Sequence, residues 1–259
     1  MQQCLDEFMI FANLLADTAR QISRQYFRQN LIIESKENNT PVTIADKKIE
    51  LALRKLIKEH YPKHGIIGEE FTDEATCGDY CWVIDPIDGT LAFSCGKPTF
   101  TTLIALMYQK KPLLGIVDQA ISEERFYALS GKTAYLNQLQ LQTSGLNNLC
   151  LAHLNATSPD IFKSNYEQEK FELVRKQVRL NSFGGDAYAF CLLAAGHLEL
   201  VMEASLEYYD VAALIPIIIA SGGVISDWQG KELEPNFSGQ CLASANLSLH
   251  QAVLALINN

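Results

Sequence analysis

The sequence contains no apolar run of 18 residues, which is close to the length that a membrane-spanning helix requires. Its longest apolar stretch, residues 211–220, includes Pro216 and stops at Ser221. The first ten residues, MQQCLDEFMI, contain no Lys or Arg and therefore lack the basic start of a signal peptide. We therefore expect a cytoplasmic protein that has no membrane partner.

Positive charge is also scarce. The 259 residues include 21 Lys and Arg against 30 Asp and Glu, which gives a formal net charge of -9. Such a surface repels the phosphate backbone of DNA and RNA, so we expect no nucleic-acid partner. An acidic chain that acts on a phosphorylated substrate would need bound cations.

The ligand patterns of zinc sites are missing as well. The seven cysteines include no Cys-x-x-Cys pair, and neither Cys77 nor Cys81 has a His or a second cysteine pair nearby to complete a site. The five histidines form no His-Glu-x-x-His motif. We expect reduced cysteines that mostly lie in the core, and no zinc-dependent chemistry.

Hydrophobic residues make up 48% of the chain and charged residues 20%, which is typical of a globular protein with a large core. Apolar periodicity predicts helices at 3–28, after Pro41, at 159–176, at 186–195, after Asp210 and at 247–257. Strands are predicted at 65–67, 80–84, several within 100–141, 149–153, 198–202, 224–227 and 240–245. Residues 1–145 thus indicate an α+β half and residues 146–259 an α/β half of one layered sandwich, with the site between them.

Acidic residues stand where predicted strands end or helices begin. Asp85 ends the apolar strand WVI, Pro86 turns the chain, and Asp88 returns to the same side. Gly89 allows the backbone to approach a ligand closely, and the carbonyl of Ile87 faces the same space. Such an all-oxygen set suits Mg²⁺, which takes phosphate oxygens and water as its other ligands.

Each acidic group also has a simpler interpretation. The sequence DPIDG is a turn composition in which aspartates bind their own backbone. Glu69 and Glu70 could be a solvated pair after a short strand, and Asp210 could be the N-cap of the helix VAALIPIII. Their occurrence together at strand ends and helix starts favours one shared site, as in other α/β folds.

Four motifs resemble those of the inositol monophosphatase superfamily: TPVTIAD at 40–46, GEE at 68–70, WVIDPIDGT at 82–90, and YDVAAL followed by ASGG within 209–223. Their order and spacing fit over essentially the whole chain. The resemblance implies an αβαβα sandwich, commonly a homodimer, that hydrolyses a small phosphate monoester with two or three Mg²⁺ per site and is inhibited by lithium. It also implies direct attack by an activated water, without a phosphorylated enzyme.

The resemblance implies a role for each position. The counterparts of the Mg²⁺ ligands are Glu69, Asp85, the carbonyl of Ile87, Asp88 and Asp210, all of which are present. The other counterparts are Glu70 and Asp46 for holding metal-bound water, Thr90 with Glu69 for activating the nucleophilic water, Asp88, Gly89 and Thr90 for binding phosphate, and Lys36 for a loop near a mobile metal. The complete ligand set resembles active enzymes and disfavours a vestigial site that only binds a macromolecular partner.

Segments 93–126 and 184–204 are most similar to the histidinol-phosphatases of this superfamily. Asp186, after Gly185, stands where inositol-type enzymes usually have a neutral residue. Glu203, seven residues before Asp210, matches the family's substrate-contacting glutamate. Two carboxylates would suit the ammonium and imidazole groups of histidinol, whereas inositol offers only hydroxyl groups.

Two observations leave the substrate open. Asp186 could only cap the helix that it opens. Ser182 stands where both branches usually have an arginine, a place that Arg179 could fill. A phosphatase for inositol monophosphate or for another small sugar or nucleotide phosphate is therefore the alternative.

Overall fold

The computed structural model describes residues 2–29, 34–35, 41–75 and 78–259. Its α-helices are α1 (Gln2–Tyr26), α2 (Ile44–His60), α3 (Thr90–Ser94), α4 (Asn165–Arg175), α5 (Asp186–Ala194), α6 (Tyr208–Val211), α7 (Leu214–Ala220) and α8 (Leu247–Asn258). Its strands are β1 (Glu34–Ser35), β2 (Pro41–Val42), β3 (Gly65–Gly68), β4 (Tyr80–Asp88), β5 (Thr101–Tyr108), β6 (Lys111–Gln119), β7 (Glu124–Leu129), β8 (Ala134–Leu136), β9 (Leu139–Gln140), β10 (His153–Ala156), β11 (Leu180–Phe183), β12 (Leu200–Glu203), β13 (Val224–Ser226) and β14 (Cys241–Ser244).

Strands β3 to β9 form a seven-stranded sheet whose spatial order follows the chain. β3 and β4 are parallel, and each later pair is antiparallel. Gln109 and Lys110 both have positive φ, 48° and 67°, as the two-residue turn between β5 and β6 requires. The strand-rich stretch predicted at 100–141 is therefore confirmed.

The second sheet has the order β11-β10-β12-β14-β13. β10 is parallel to β11 and β12, and β14 is antiparallel to β12 and β13. α4 connects β10 to β11, and α5 connects β11 to β12, since parallel neighbours need a crossover. The carboxyl ends of β10, β11 and β12 therefore meet at one edge of the sheet.

The buried side chains form three clusters between five layers. α1 and α2 pack on one face of the seven-stranded sheet, α5, α6 and α7 lie between the sheets, and α4 and α8 cover the outer face of the second sheet. β4 shows how this arises, because Trp82 and Ile84 face α1 and α2 while Val83 faces the central helices. The predicted αβαβα sandwich is confirmed.

The strand predicted at 149–153 is wrong. Leu149–Leu151 is a single turn of 3-10 helix, and the strand is His153–Ala156. The apolar pattern misleads here because Leu151 is 50% exposed, whereas Leu154 is fully buried. The short strand β11 was not predicted at all, since its sequence, LNSF, has little apolar character.

Two predicted helices are shorter than expected. The helix predicted at 159–176 is α4 alone, which begins after the capping box of Ser164 and Glu167, and Pro159–Ile161 is a separate 3-10 turn. The helix after Asp210 is divided into α6 and α7. Pro216 falls in the first turn of α7, where a missing N–H leaves no bond unmade.

The cysteines differ from the expectation that most are core thiols. Of the five whose side chains the structure describes, Cys191 and Cys241 are buried, Cys81 is half-buried, and Cys95 and Cys150 are exposed. All five are free thiols. Cys95 and Cys150 lie in surface turns, at the end of α3 and within the 3-10 turn before β10. Within the described ranges, every helix is too short or too polar to cross a membrane.

Candidate active site

β4 includes two predicted ligands, Asp85 before Pro86 and Asp88 after it, although the proline was expected to turn the chain out of the strand. The strand extends to Asp88, beyond its predicted end at residue 84. Its register with β5 shifts between Asp85 and Asp88, so Pro86 lies in a bulge, where a strand tolerates a residue without an N–H. Thr102 Oγ1 donates to the carbonyl oxygen of Pro86 at 2.7 Å and holds the bulge in place.

Asp85, Asp88 and Asp210 form a compact cluster. Each offers a carboxylate oxygen, and these oxygens lie within 4.8 Å of one another. Asp210 comes from α6, which packs against β4. It is the third residue of α6 and accepts a 2.7 Å hydrogen bond from the backbone N–H of Glu207, which is the N-cap. The interpretation of Asp210 as the N-cap is therefore wrong.

Burial and mutual repulsion raise the pKa of all three carboxyl groups. For Asp85, burial is the largest cause and the neighbouring carboxylates add to it. For Asp88, burial and the charge of Asp186 outweigh the 2.7 Å hydrogen bond that Oδ2 accepts from the backbone N–H of Ala187. Burial also dominates the raised pKa of Asp210. A cation among these groups would relieve the repulsion.

Glu69 and Glu70 follow β3, the parallel neighbour of β4. Gly68 at the end of β3 pairs with Ile84, which places Glu69 at the same sheet edge as Asp85. The charge of Glu69 contributes to the raised pKa of Asp85. The roles of Glu69 and Glu70 towards metal and water stay predictions.

Thr90 begins α3, and its hydroxyl group lies between two oxygens. It donates to the carbonyl of Ile87 at 3.0 Å and lies 3.4 Å from Oδ1 of Asp46. Oδ2 of Asp46 accepts from the hydroxyl and the backbone N–H of Thr43, at 2.6 and 2.9 Å, in the capping box of α2. Burial raises the pKa of Asp46. Lys36, the other candidate from this region, lies outside the described residues.

The side-chain atoms with which Asp85, Asp88 and Asp210 could bind a metal are all oxygens. Oδ1 of Asp85 is buried and has no hydrogen-bond partner in the described part of the chain. Buried polar atoms are rarely left in this state unless something else binds them. A set of carboxylates beside the carbonyl of Ile87 suits Mg²⁺ better than metals that prefer sulfur or nitrogen. The residues therefore fit an oxygen-seeking divalent cation.

A second acidic pair lies beside this cluster. Glu203 ends β12 and is 1% exposed, and its Oε1 accepts a 2.7 Å hydrogen bond from the backbone N–H of Thr157. Its Oε2 is buried without a partner among the described residues, and burial raises the pKa of Glu203 to about 8. The side chain of Thr157 is also close enough to Asp186 to lower the pKa of its carboxyl group. The threonine thus lies beside two acidic groups from different elements.

Asp186 is not the cap of its helix. Gly185 is the N-cap of α5, and Asp186 is the first helical residue, with a left-handed φ of 45°. Burial raises the pKa of Asp186, although the nearby side chain of Thr157 and the charge of the exposed Lys97 oppose it. The alternative that Asp186 serves as a helix cap is therefore wrong.

Ser182, which replaces the expected arginine, belongs to a polar group on β10 and β11. Its hydroxyl lies 2.9 Å from Nε2 of His153 and accepts from Nδ2 of Asn155 at 2.8 Å. Arg179 is exposed and precedes β11, whereas Asp186 follows the other end of that strand. The four residues of β11 separate the two by about 13 Å. The suggestion that Arg179 fills the missing place stays a prediction.

Sequence analysis overlooked Thr157 and Lys97. The signal for Thr157 was its position after a strand that ends at the edge holding Glu203. That signal was hidden because the strand was placed at 149–153, four residues too early at its start. Lys97 is an exposed lysine in a turn, and its closeness to Asp186 depends on how the two halves pack.

Comparison with known proteins agrees with this geometry. The profile described as the inositol monophosphatase family matches residues 4–259. The chain is 41% identical over 243 residues to the bifunctional phosphatase IMPL2, chloroplastic, of Arabidopsis thaliana, which covers 93% of this chain and 70% of that protein. It is 30% identical over 246 residues to the histidinol-phosphatase of Chlorobaculum parvum, covering 95% and 94% of the two chains.

Among solved structures, an inositol monophosphatase from Zymomonas mobilis superimposes with a TM-score of 0.89 at 36% identity, and the match covers 98% of each chain. The similarity extends over both sheets and over the edge where the carboxylates meet. The chain therefore belongs to the inositol monophosphatase family and is a metal-dependent phosphomonoesterase.

Proposed function

We propose that the enzyme hydrolyses L-histidinol phosphate to L-histidinol and inorganic phosphate. The observation that carries this substrate is the acidic pair Asp186 and Glu203 beside the cluster of Asp85, Asp88 and Asp210. Burial raises the pKa of both groups, and a bound cationic group would lower these pKa values and favour the charged carboxylates. Histidinol carries an ammonium group and an imidazole that these carboxylates would bind. Inositol has no cationic group to offset their desolvation.

Asp85, Asp88 and Asp210, with Glu69 and the carbonyl of Ile87, would hold Mg²⁺. The bound cation would offset the charge of the phosphate, favour deprotonation of a water and stabilise the leaving oxygen. Within the chain, the hydroxyl of Thr90 would orient the attacking water together with Glu69.

The amide groups at Gly89 and Thr90 would donate to a phosphate oxygen, and Glu70 and Asp46 would accept from the waters around the site. Attack by water breaks the bond between phosphorus and the ester oxygen, and that oxygen leaves with a proton as the alcohol. No side chain of the protein is phosphorylated in this scheme.

In this proposal the side chain of Asp186 would bind the alcohol part of the substrate. It lies against Gly89 and close to Thr157, whose backbone N–H donates to Glu203. Oε2 of Glu203 accepts no hydrogen bond from any described residue.

A phosphatase for inositol monophosphate is the second candidate. The 36% identity to the Zymomonas mobilis inositol monophosphatase over 98% of the chain favours it. On this alternative, the two carboxylates would accept hydrogen bonds from hydroxyl groups, and charge would contribute little to specificity.

Steady-state kinetics with histidinol phosphate, inositol 1-phosphate and p-nitrophenyl phosphate separate the candidates. We expect kcat/KM for histidinol phosphate to exceed that for inositol 1-phosphate by at least ~100-fold, because a site built for a polar partner rejects analogues that lack it. Asp186→Asn should raise KM for histidinol phosphate by about 10- to 100-fold, the size of one charge-assisted hydrogen bond.

The same variant should hydrolyse p-nitrophenyl phosphate at close to the wild-type rate, since that substrate has no cation to bind. Asp160→Asn, which removes an exposed carboxylate from the 3-10 turn beyond β10, is the matched control and should change neither reaction. Equal kcat/KM on the two natural substrates, or a parallel loss of all activities in Asp186→Asn, would support the second candidate instead.

A further inference from the structure

α2 carries a buried ion pair that the proposed chemistry does not use. Glu50 is fully buried and Arg54 is 6% exposed, and Nε and Nη2 of Arg54 both lie 2.8 Å from Oε1 of Glu50. Removing two charges from water is costly, and such a pair is often no more stabilising than an apolar one. The position of the pair therefore calls for an explanation beyond stability.

The pair binds the backbone that follows β3. Glu50 accepts from the N–H of Glu70 through Oε2 at 2.8 Å, and from the N–H of Phe71 through Oε1 at 3.2 Å. Arg54 donates to the carbonyls of Phe71 and Thr72, at 3.0 and 3.2 Å. β3 ends at Gly68, so the sheet no longer holds these groups. The two side chains replace the ladder where the chain leaves it.

The chain at the end of β3 packs closely against the ion pair. A β-carbon at Gly68 would lie 2.1 Å from Oε1 of Glu50, so the backbone passes directly against the buried carboxylate. Arg54 also reaches Glu74 at 3.2 Å, on the far side of the same loop. The segment 68–74 is thus held at several points by one helix.

The same helix reaches the other side of the site. Asp46, Glu50 and Arg54 stand at i, i+4 and i+8, so they share one face of α2 over about 12 Å. Asp46 lies at the end of this row, beside Thr90. α2 therefore connects the loop that carries Glu69 with the start of α3.

We propose that Glu50 and Arg54 are positioning residues, which hold the Glu69–Glu70 segment in place for the divalent cation. Neither side chain touches substrate or metal. They act through the backbone, because Glu69 can reach the Asp85 cluster only while the loop after Gly68 keeps its present course. This inference rests on the proposed role of Glu69 as a metal ligand, and it does not depend on which phosphate monoester is hydrolysed.

The test measures cation binding to the folded protein in the absence of substrate. Mn²⁺, which takes the same oxygen ligands as Mg²⁺, is titrated while the free ion is followed by electron paramagnetic resonance. The Mg²⁺ concentration that gives half-maximal hydrolysis of p-nitrophenyl phosphate is measured in parallel. Glu50→Gln and Arg54→Met should each weaken Mn²⁺ binding and raise that Mg²⁺ concentration by ~10-fold or more, the usual effect of losing a group that orients a ligand.

Arg20→Met is the matched control. Arg20 donates two hydrogen bonds, of 2.6 and 2.9 Å, to the buried Asp118 and thereby ties α1 to β6 away from the carboxylates. Its loss should lower the melting temperature without changing Mn²⁺ affinity. Arg54→Lys keeps the charge but loses the planar fork, so it should fold, with a smaller loss of affinity.

Wild-type Mn²⁺ affinity in Glu50→Gln and Arg54→Met, with only a lower melting temperature as in Arg20→Met, would overturn the inference. If those two variants do not fold, unchanged affinity in Arg54→Lys would overturn it. A wild-type protein that binds no Mn²⁺ would refute the metal site itself, which is a different result from intact binding that the variants leave unchanged.

Discussion

The carboxylate of Asp186 lies against the backbone of Gly89. Its Oδ2 is 3.0 Å from the point where a β-carbon on Gly89 would stand. Both residues have left-handed backbone conformations, with φ of 79° at Gly89 and 45° at Asp186. Gly89 is the N-cap of α3, directly after β4, and Asp186 begins α5, so the contact joins the two halves of the chain at the site.

Gly89→Ala should therefore impair both stability and activity. The methyl group would displace the Asp186 carboxylate, and a left-handed φ costs a residue with a β-carbon about 1–2 kcal/mol. We expect kcat/KM for histidinol phosphate to fall by ~10-fold or more, measured beside urea unfolding. Gly131→Ala is the control, because Gly131 has a φ of 72° but its β-carbon would meet no atom within 4 Å. Equal effects of the two substitutions on activity would show that Asp186 is not involved.

Asp88→Asn should lower kcat by ~100-fold or more, since it removes a charge from the proposed cation site at the point where charge develops. The wild-type enzyme should lose activity in EDTA and regain it with added Mg²⁺. Both effects are measured with p-nitrophenyl phosphate, so that the choice of natural substrate does not enter. Full activity in EDTA would contradict the mechanism.

Thr90→Ala should slow turnover by about 100-fold while Mn²⁺ binding stays close to wild type. The hydroxyl that lies between Ile87 and Asp46 would be lost, whereas the carboxylate cluster would remain. Thr90→Ser retains the hydroxyl and should recover most of the rate. If the serine variant is as slow as the alanine variant, the hydroxyl does not orient the water. Detection of a phosphorylated side chain during turnover would refute direct attack by water.

His250 should make the folded state sensitive to mild acid. It is 3% exposed, with its ring nitrogens 2.8 Å from Ser226 Oγ and 3.0 Å from Ser244 Oγ, and burial lowers its pKa from 6.5 to about 4. Because the unfolded chain binds a proton more readily, the stability is complete above pH 6.5 and is lost as the pH falls towards 4. At about 1.4 kcal/mol for each pKa unit, the loss amounts to about 3 kcal/mol.

The measurement is the free energy of urea unfolding between pH 7 and 4, compared with His250→Gln. The glutamine can still form hydrogen bonds with Ser226 and Ser244 but does not titrate in this range. The difference in stability between the two proteins should therefore shrink or reverse as the pH falls. A difference that stays constant over this range would show that His250 has an ordinary pKa in the native state.

Much of the fold could be predicted because long apolar patterns determine it. The hairpin from β5 to β6 and the capping box at Thr43 and Asp46 have clear signals in the sequence. The course of β4 has no such signal, because Pro86 is typical of a turn. Only the bulge against β5 lets the strand continue to Asp88. Leu151 led to the opposite error, a strand predicted where the structure has a turn, since an apolar residue in a surface turn resembles the start of a strand.

The acidic cluster could be expected because Asp85 follows an apolar strand and Asp210 lies at the start of a helix. The surroundings of Asp186 could not be predicted. They depend on the left-handed backbone conformation of Asp186 and on the closeness of Gly89 and Thr157, which are far away in the sequence. The network of Glu50 and Arg54 was also missed. Its spacing of four residues is common on exposed helices, and only burial shows that it binds a loop.

The strand order of the two sheets bears on when the site forms during folding. In the first sheet each strand pairs with the next one along the chain, an arrangement of local contacts that forms quickly. In the second sheet β14 must enter between β12 and β13, which requires segments far apart in the sequence to meet. Asp85 and Asp88 belong to the first sheet, whereas Asp210 lies on α6, which follows β12 of the second sheet in the chain and must dock against β4. High-affinity cation binding should thus mark the end of folding, and a refolding chain should gain it after most of its β-structure.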